Sequence, residues 1–173
     1  MKPQVSIIMG STSDLPVVRK AADFLEQMEV PFEMHALSAH RTPGAVEQFA
    51  RNAAVRGIKV IIAAAGMSAA LPGVIAAQTT LPVIGLPISA TLMGMDALLS
   101  TAMMPPAIPV ASVGIDGAMN AGVLAVRILA LTDAALADRY GAYCARLDEK
   151  VRTADAKLAE ITDYKFKTDG DGE

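Results

Sequence analysis

Short apolar runs alternate along the chain with apolar positions at helical spacing. Residues 5–9 are continuously apolar, the pattern of a strand buried on both faces of a parallel sheet. Beyond Gly10-Ser11-Thr12-Ser13-Asp14, the positions Val18, Ala21, Ala22, Leu25 and Met28 recur at helical spacing, with Pro16 acceptable in a first turn. The unit then repeats. Residues 32–37 read as a second strand, and a helix follows from about Gly44 to Arg56, with Val46, Phe49, Ala50 and Ala53 on one side and Gly57 stopping it. Residues 59–65 give a third strand, Leu71-Pro72-Gly73 a helix start, and residues 81–86 a fourth strand before Pro87 and an irregular Ser/Thr/Gly stretch. A helix through Asp96 to Met103 and a fifth strand over 108–113 complete the alternation. This order predicts an α/β fold, a doubly wound parallel five-stranded sheet between helical layers with right-handed crossovers.

The remainder is helical. Residues 120–131 are rich in Ala, Val and Leu, with Arg127 alone charged. Leu136, Tyr140, Tyr143, Leu147, Val151 and Leu158 are then separated by charges, the pattern of a C-terminal helix that either projects as an interface arm or lies solvated on its own domain. Residues 162–173 lack periodicity and are expected to form a flexible tail after a single domain spanning 1–161.

Composition sharpens this picture. The chain of 173 residues is 53% hydrophobic but only 4% aromatic and lacks Trp, so its core must be built from Ala, Val, Ile, Leu and ten Met. Between Lys59 and Arg127 the only charges are Asp96 and Asp116. Glycines and prolines at 66, 72, 73, 82, 85 and 87 interrupt this run, which argues for buried strands and helices covered on both faces and against a spanning helix. So large an uncharged third also predicts a homo-oligomer, since a monomer would show a wide apolar patch to water. Net charge is -3. That gives no electrostatic footprint for nucleic acid or anionic lipid. Cys144, the single cysteine, excludes an intrachain disulfide framework and fits a reducing compartment, and the brief N-terminal apolar run is too short for a signal-peptide core. A cytoplasmic location is expected.

The chemistry is concentrated in loops. Ser38-Ala39-His40-Arg41-Thr42-Pro43 places an imidazole, a fixed cation and two hydroxyls in a strand-to-helix connection, the edge of an open α/β sheet where ligands bind. Gly10, Ser11, Ser13 and Asp14 occupy the first such connection, where small residues and helix N–H groups admit an anion, although Ser13 or Asp14 could simply cap the helix. Neither a P-loop nor G-x-G-x-x-G is present, which disfavours triphosphates and dinucleotides. The third connection, with Gly66, Met67, Ala69, Ala70 and Leu71, offers a wall of backbone amides. Together the three describe a site for a small, phosphorylated, hydroxyl-rich molecule. His35, inside the second strand, reads as structural.

These motifs, with Leu81-Pro82-Val83-Ile84-Gly85, Asp96 and Leu98-Leu99-Ser100, Met104-Pro105, Ile108-Pro109-Val110-Ala111 and Asn120-Ala121-Gly122, resemble the PurE family of purine biosynthesis over residues 5–131. Its members are N5-carboxyaminoimidazole ribonucleotide mutases or, in a second class, aminoimidazole ribonucleotide carboxylases. The resemblance implies a flavodoxin-like sheet, a homo-octamer, no metal or organic cofactor, and a functional link to an ATP-dependent N5-carboxyaminoimidazole ribonucleotide synthetase. It implies His40 as the catalytic acid and base, a phosphate cradle from Ser11, Ser13, Ser38 and Arg41, and Asp14 on ribose hydroxyls. Imidazole takes and gives protons near neutral pH, which suits that task. Ala70 stands where the mutase class carries a second histidine, and Met103 and Ala107 where it commonly has Gln and Gly. The carboxylase-class Arg-Ser-Asn is absent as well. The intact Arg-Thr-Pro and Leu-Pro-Gly favour the mutase; direct carboxylation by carbon dioxide and a non-catalytic nucleotide-binding paralogue are the alternatives.

Overall fold

The computed structural model describes residues 2–167. Its strands are β1 (Val5–Met9), β2 (Phe32–Ala36), β3 (Val60–Gly66), β4 (Val83–Ile88) and β5 (Ala111–Ser112), all parallel, in the order β2-β1-β3-β4-β5. The helices are α1 (Leu15–Gln27), α2 (Pro43–Arg56), α3 (Leu71–Ala76), α4 (Met95–Ala102), α5 (Ala118–Ala130) and α6 (Ala134–Ala159). This is the expected flavodoxin-like doubly wound sheet. Strand order reverses between β1 and β3, which opens a crevice at their carboxyl ends.

Strand alternation divides the core. Val5, Ile7 and Met9 of β1 and Val60, Ile62 and Ala64 of β3 pack beneath α1 and α5, whereas Ile8, Ile61, Ala63 and Ala65 pack beneath α2 and α3. Small residues let the layers close: a Cβ on Gly122 would lie 3.1 Å from the Ala21 carbonyl oxygen, so α5 meets α1 at backbone distance. Ser6, buried on the α2 face of β1, donates at 3.0 Å to Glu33 of edge strand β2. Glu33 also receives Arg56 Nη1 at 3.0 Å, and Phe49 supports both Arg56, 4.8 Å above its ring, and His35 at 5.7 Å. His35 thus has the structural place its strand position suggested, with Nε2 3.3 Å from Glu33.

Three expected boundaries shift. β4 starts after Pro82 and runs through Pro87, which pairs with Ala65 of β3; β5 has already ended at that level, so no N–H is missed there. β5 is confined to two residues because Pro109 lacks a donor and residues 103–108 turn instead. The uncharged middle is also not covered throughout: β3 and β4 are buried, but Leu92, Met93, Leu99 and Met103 are exposed. Of the expected tail, residues 162–167 carry no helix or strand and residues 168–173 lie outside the described residues.

Candidate functional site

The first connection begins where β1 ends. Ser11 Oγ accepts from the Ser13 backbone N–H at 3.3 Å and from Ser13 Oγ at 2.9 Å, capping a 3-10 turn over Thr12–Asp14 that feeds α1. The cap is therefore Ser11, and the Asp14 side chain caps nothing. Partial burial raises the Asp14 pKa above the ordinary carboxylate value, against the weaker lowering effect of Ser13. A half-buried carboxylate with this little local support is a ready acceptor for hydroxyl donors.

In the second connection, Thr42 Oγ1 accepts from the Ser38 N–H and donates to the Ser38 carbonyl, both at 3.0 Å, which closes the loop on itself. Ser38 Oγ accepts from the Arg41 N–H at 3.2 Å. The Arg41 Nη2 then reaches across to the Gly10 carbonyl at 2.9 Å. That bond brings the two loop tips together: the residue after His40 touches the residue before Ser11. His40 itself is exposed at the tip.

The third connection is a ribbon of tight turns, with Ala69 N–H on Met67 O at 2.8 Å and Ala70 N–H on Ser68 O at 2.7 Å. Met67 holds φ +55, the left-handed region, with 58% of its surface exposed. Gly66 faces Ala90 of the fourth connection closely enough that a Cβ would sit 3.2 Å from the Ala90 Cβ. All the expected site residues thus line one sheet edge. Two surface concavities lie at the opposite edge, one lined by Pro3, Pro31 and Phe32, the other by Gln78, Thr79 and Pro109.

The comparisons with known proteins bear on this edge. The family model described as AIR carboxylase matches residues 4–150. The chain belongs to the AIR carboxylase family. An N5-carboxyaminoimidazole ribonucleotide mutase of Pyrococcus abyssi is 60% identical over 130 residues, which are 75% of each chain. One of Pyrococcus horikoshii is 50% identical over 161 residues, covering 92% of this chain and 91% of the relative. Among solved structures, Treponema denticola PurE superposes with a TM-score of 0.82 at 32% identity, covering 90% of this chain and 98% of that one.

As a member of the AIR carboxylase family, the chain carries site features that its sequence hid. Asp116 Oδ1 accepts from the Ser89 N–H at 2.9 Å and its own N–H bonds Pro87 O at 2.9 Å, so it fixes the exit of β4. Asp116-Gly117 reads from sequence only as a turn, and the long-range bond left no local signal. Thr91 donates to Asp96 at the start of α4, and Leu92 and Met93 between them hold φ +43 and +54. Nothing in two apolar residues announces a left-handed turn.

Proposed function

We propose that this chain converts N5-carboxyaminoimidazole ribonucleotide to 4-carboxy-5-aminoimidazole ribonucleotide in purine biosynthesis. The observation that carries the reading is the Arg41 to Gly10 bond, which joins the His40 loop to the Ser11–Asp14 turn. In this reading Arg41 and the Ser11, Ser13 and Ser38 hydroxyls hold the 5′-phosphate, Arg offering a fork of donors whose charge does not titrate. Asp14 accepts from ribose hydroxyls, and substrate donors supply the partners that its half-buried carboxylate otherwise lacks. The amide wall from Gly66 to Leu71 flanks the base. His40 protonates and deprotonates the ring carbon as the carboxyl group leaves the exocyclic nitrogen and joins carbon four.

The proposal extends to assembly and place. The exposed Leu92, Met93, Leu99 and Met103 support a homo-oligomer, taken as the octamer implied by the family resemblance, that closes the open side of the crevice. The substrate comes from an ATP-dependent carboxylating synthetase, and the site of action is the cytoplasm. No helix among the described residues is long and apolar enough to cross a membrane.

The test supplies purified protein with the N5-carboxy compound, or with aminoimidazole ribonucleotide and bicarbonate, and follows the carboxylated product by absorbance. Turnover of the first alone, abolished in His40→Ala, is expected. Turnover of only the second would assign direct carboxylation; activity surviving in His40→Ala would remove the histidine from the mechanism.

A further inference from the structure

The base of α6 is anchored and the rest of it is not. Asp133 caps the helix by accepting from the Leu136 N–H at 3.0 Å, Leu136 is buried, and Arg139 Nε donates to Met28 O at 3.1 Å. Tyr140 and Tyr143 pack against the core beneath α1 and α5, with the Tyr143 ring edge-on to Phe24 at 5.2 Å. From Cys144 to the helix end at Ala159 every residue is exposed, a projection of about 24 Å at 1.5 Å per residue. Leu147, Val151 and Leu158 are 46%, 68% and 57% exposed. An isolated helical segment of this length is marginal in water, and most helical stability comes from packing an apolar face.

The exposed face has a period. Cys144, Leu147, Val151, Ala154, Leu158 and Ile161 follow one another at spacings of three and four, the a and d positions of a heptad seam. Placing Cys144, Val151 and Leu158 at a and Leu147, Ala154 and Ile161 at d puts Lys150 and Lys157 at g and Asp148 and Asp155 at e. In a parallel pair g of one helix meets e of the next heptad on the other, which sets Lys150 against Asp155 in both directions. An antiparallel pair would set lysine against lysine and aspartate against aspartate. A β-branched residue at a with leucine at d also suits two strands.

We infer that the free half of α6 is a docking surface for a second copy of this chain, pairing α6 with α6 in parallel and in register through the Cys144–Ile161 seam. The contact is short, so it acts inside an assembly already held elsewhere, where the linked helices meet at high effective concentration. This inference stands on α6 alone and holds or fails independently of the proposed reaction.

In-register pairing brings the two Cys144 side chains together, and a parallel a position lies within the Cα separation that a disulfide tolerates. The purified full-length protein is treated with a mild oxidant at several dilutions and run on a non-reducing gel. A covalent dimer whose yield is independent of dilution is expected, and it disappears in Cys144→Ser. In the Cys144→Ser background, Val151→Cys restores the dimer and Glu149→Cys, on the outward face, does not. Lys150→Asp lowers the Cys144 dimer several-fold and adding Asp155→Lys brings it back. Failure of both Cys144 and Val151→Cys to cross-link in the assembled protein overturns the pairing, as it would if α6 lay on the globular part of a neighbour. Equal cross-linking at Glu149→Cys, or a charge swap that does not restore the yield, overturns the parallel register.

Discussion

Replacing Arg56 with methionine tests what holds edge strand β2, and with it the loop that carries His40. Methionine keeps most of the apolar stem against Phe49 while removing the guanidinium. The loss comprises the Nη1 bond to Glu33 Oε2 at 3.0 Å, the ion-pair contact of Nη2 with Oε1 at 2.8 Å, which lies off a hydrogen-bond line, and the stacking at 4.8 Å over Phe49. A hydrogen bond to a charged group contributes roughly 1.5–3 kcal/mol and a cation–π contact about 0.5–1. Arg56 is 37% exposed, so solvent screening reduces the sum, and about 2 kcal/mol is expected at neutral pH. For a domain of this size that lowers Tm by about 4–8 °C.

The pH dependence carries the sharper test. Burial acts to raise the Glu33 pKa, but the Arg56 and Ser6 hydrogen bonds, the Arg56 charge and the His35 contact outweigh it, and the net shift is downward. A carboxylate whose folded pKa is depressed stabilises the protein above its unfolded pKa, and that contribution is lost as pH falls through the folded value. Without Arg56, burial dominates and the Glu33 pKa rises; the charged form then costs stability at neutral pH, and acid relieves the cost. The Tm gap between the parent and Arg56→Met, measured by circular dichroism, should therefore narrow from pH 7 toward pH 4. Combining Arg56→Met with Glu33→Gln should make it insensitive to pH across that range. An equal gap at both ends for Arg56→Met would refute the electrostatic account and leave packing alone to hold β2.

Two further outcomes follow from left-handed residues. Ala107 holds φ +71 on an exposed turn, where a side chain costs about 1–2 kcal/mol and glycine does not; less the unfolded-chain entropy of about 0.4–1 kcal/mol that glycine adds, Ala107→Gly should raise Tm by about 1–4 °C, and a fall would contradict this. Met67→Gly relieves a similar strain but removes a thioether from the third connection, so initial-rate measurements should show an altered KM; an unchanged KM would place that side chain outside the crevice.

The order of elements was legible because burial on both faces of β1 and β3 demands unbroken apolar runs, and no competing arrangement hides them. The boundaries that moved did so for nonlocal reasons. Pro87 sits inside β4 because β5 has already stopped beside it, a fact about a partner strand 24 residues further along. The two-residue β5 belongs to the same case: four of its expected six positions are apolar or small without being paired, and the apolar pattern could not distinguish pairing from packing.

The site divides in the same way. Its chemistry was legible because His40, Arg41, Ser11 and Asp14 are concentrated at strand ends in a chain with few polar residues in its core. What makes the edge a site is a set of bonds with no local sequence signal: Arg41 to Gly10 over 31 residues, and Asp116 to Ser89 over 27. Each ties one strand exit to another, so two loops that could have moved independently share a rigid support. The cap at Ser11 matters for the same reason. Had Asp14 capped α1, as the pattern allowed, its oxygens would be bound to backbone N–H groups and its pKa held low. With Ser11 as the cap, the carboxylate stays half-buried and short of donors, so the first turn of α1 is left with an acceptor that a hydroxyl-rich ligand can satisfy.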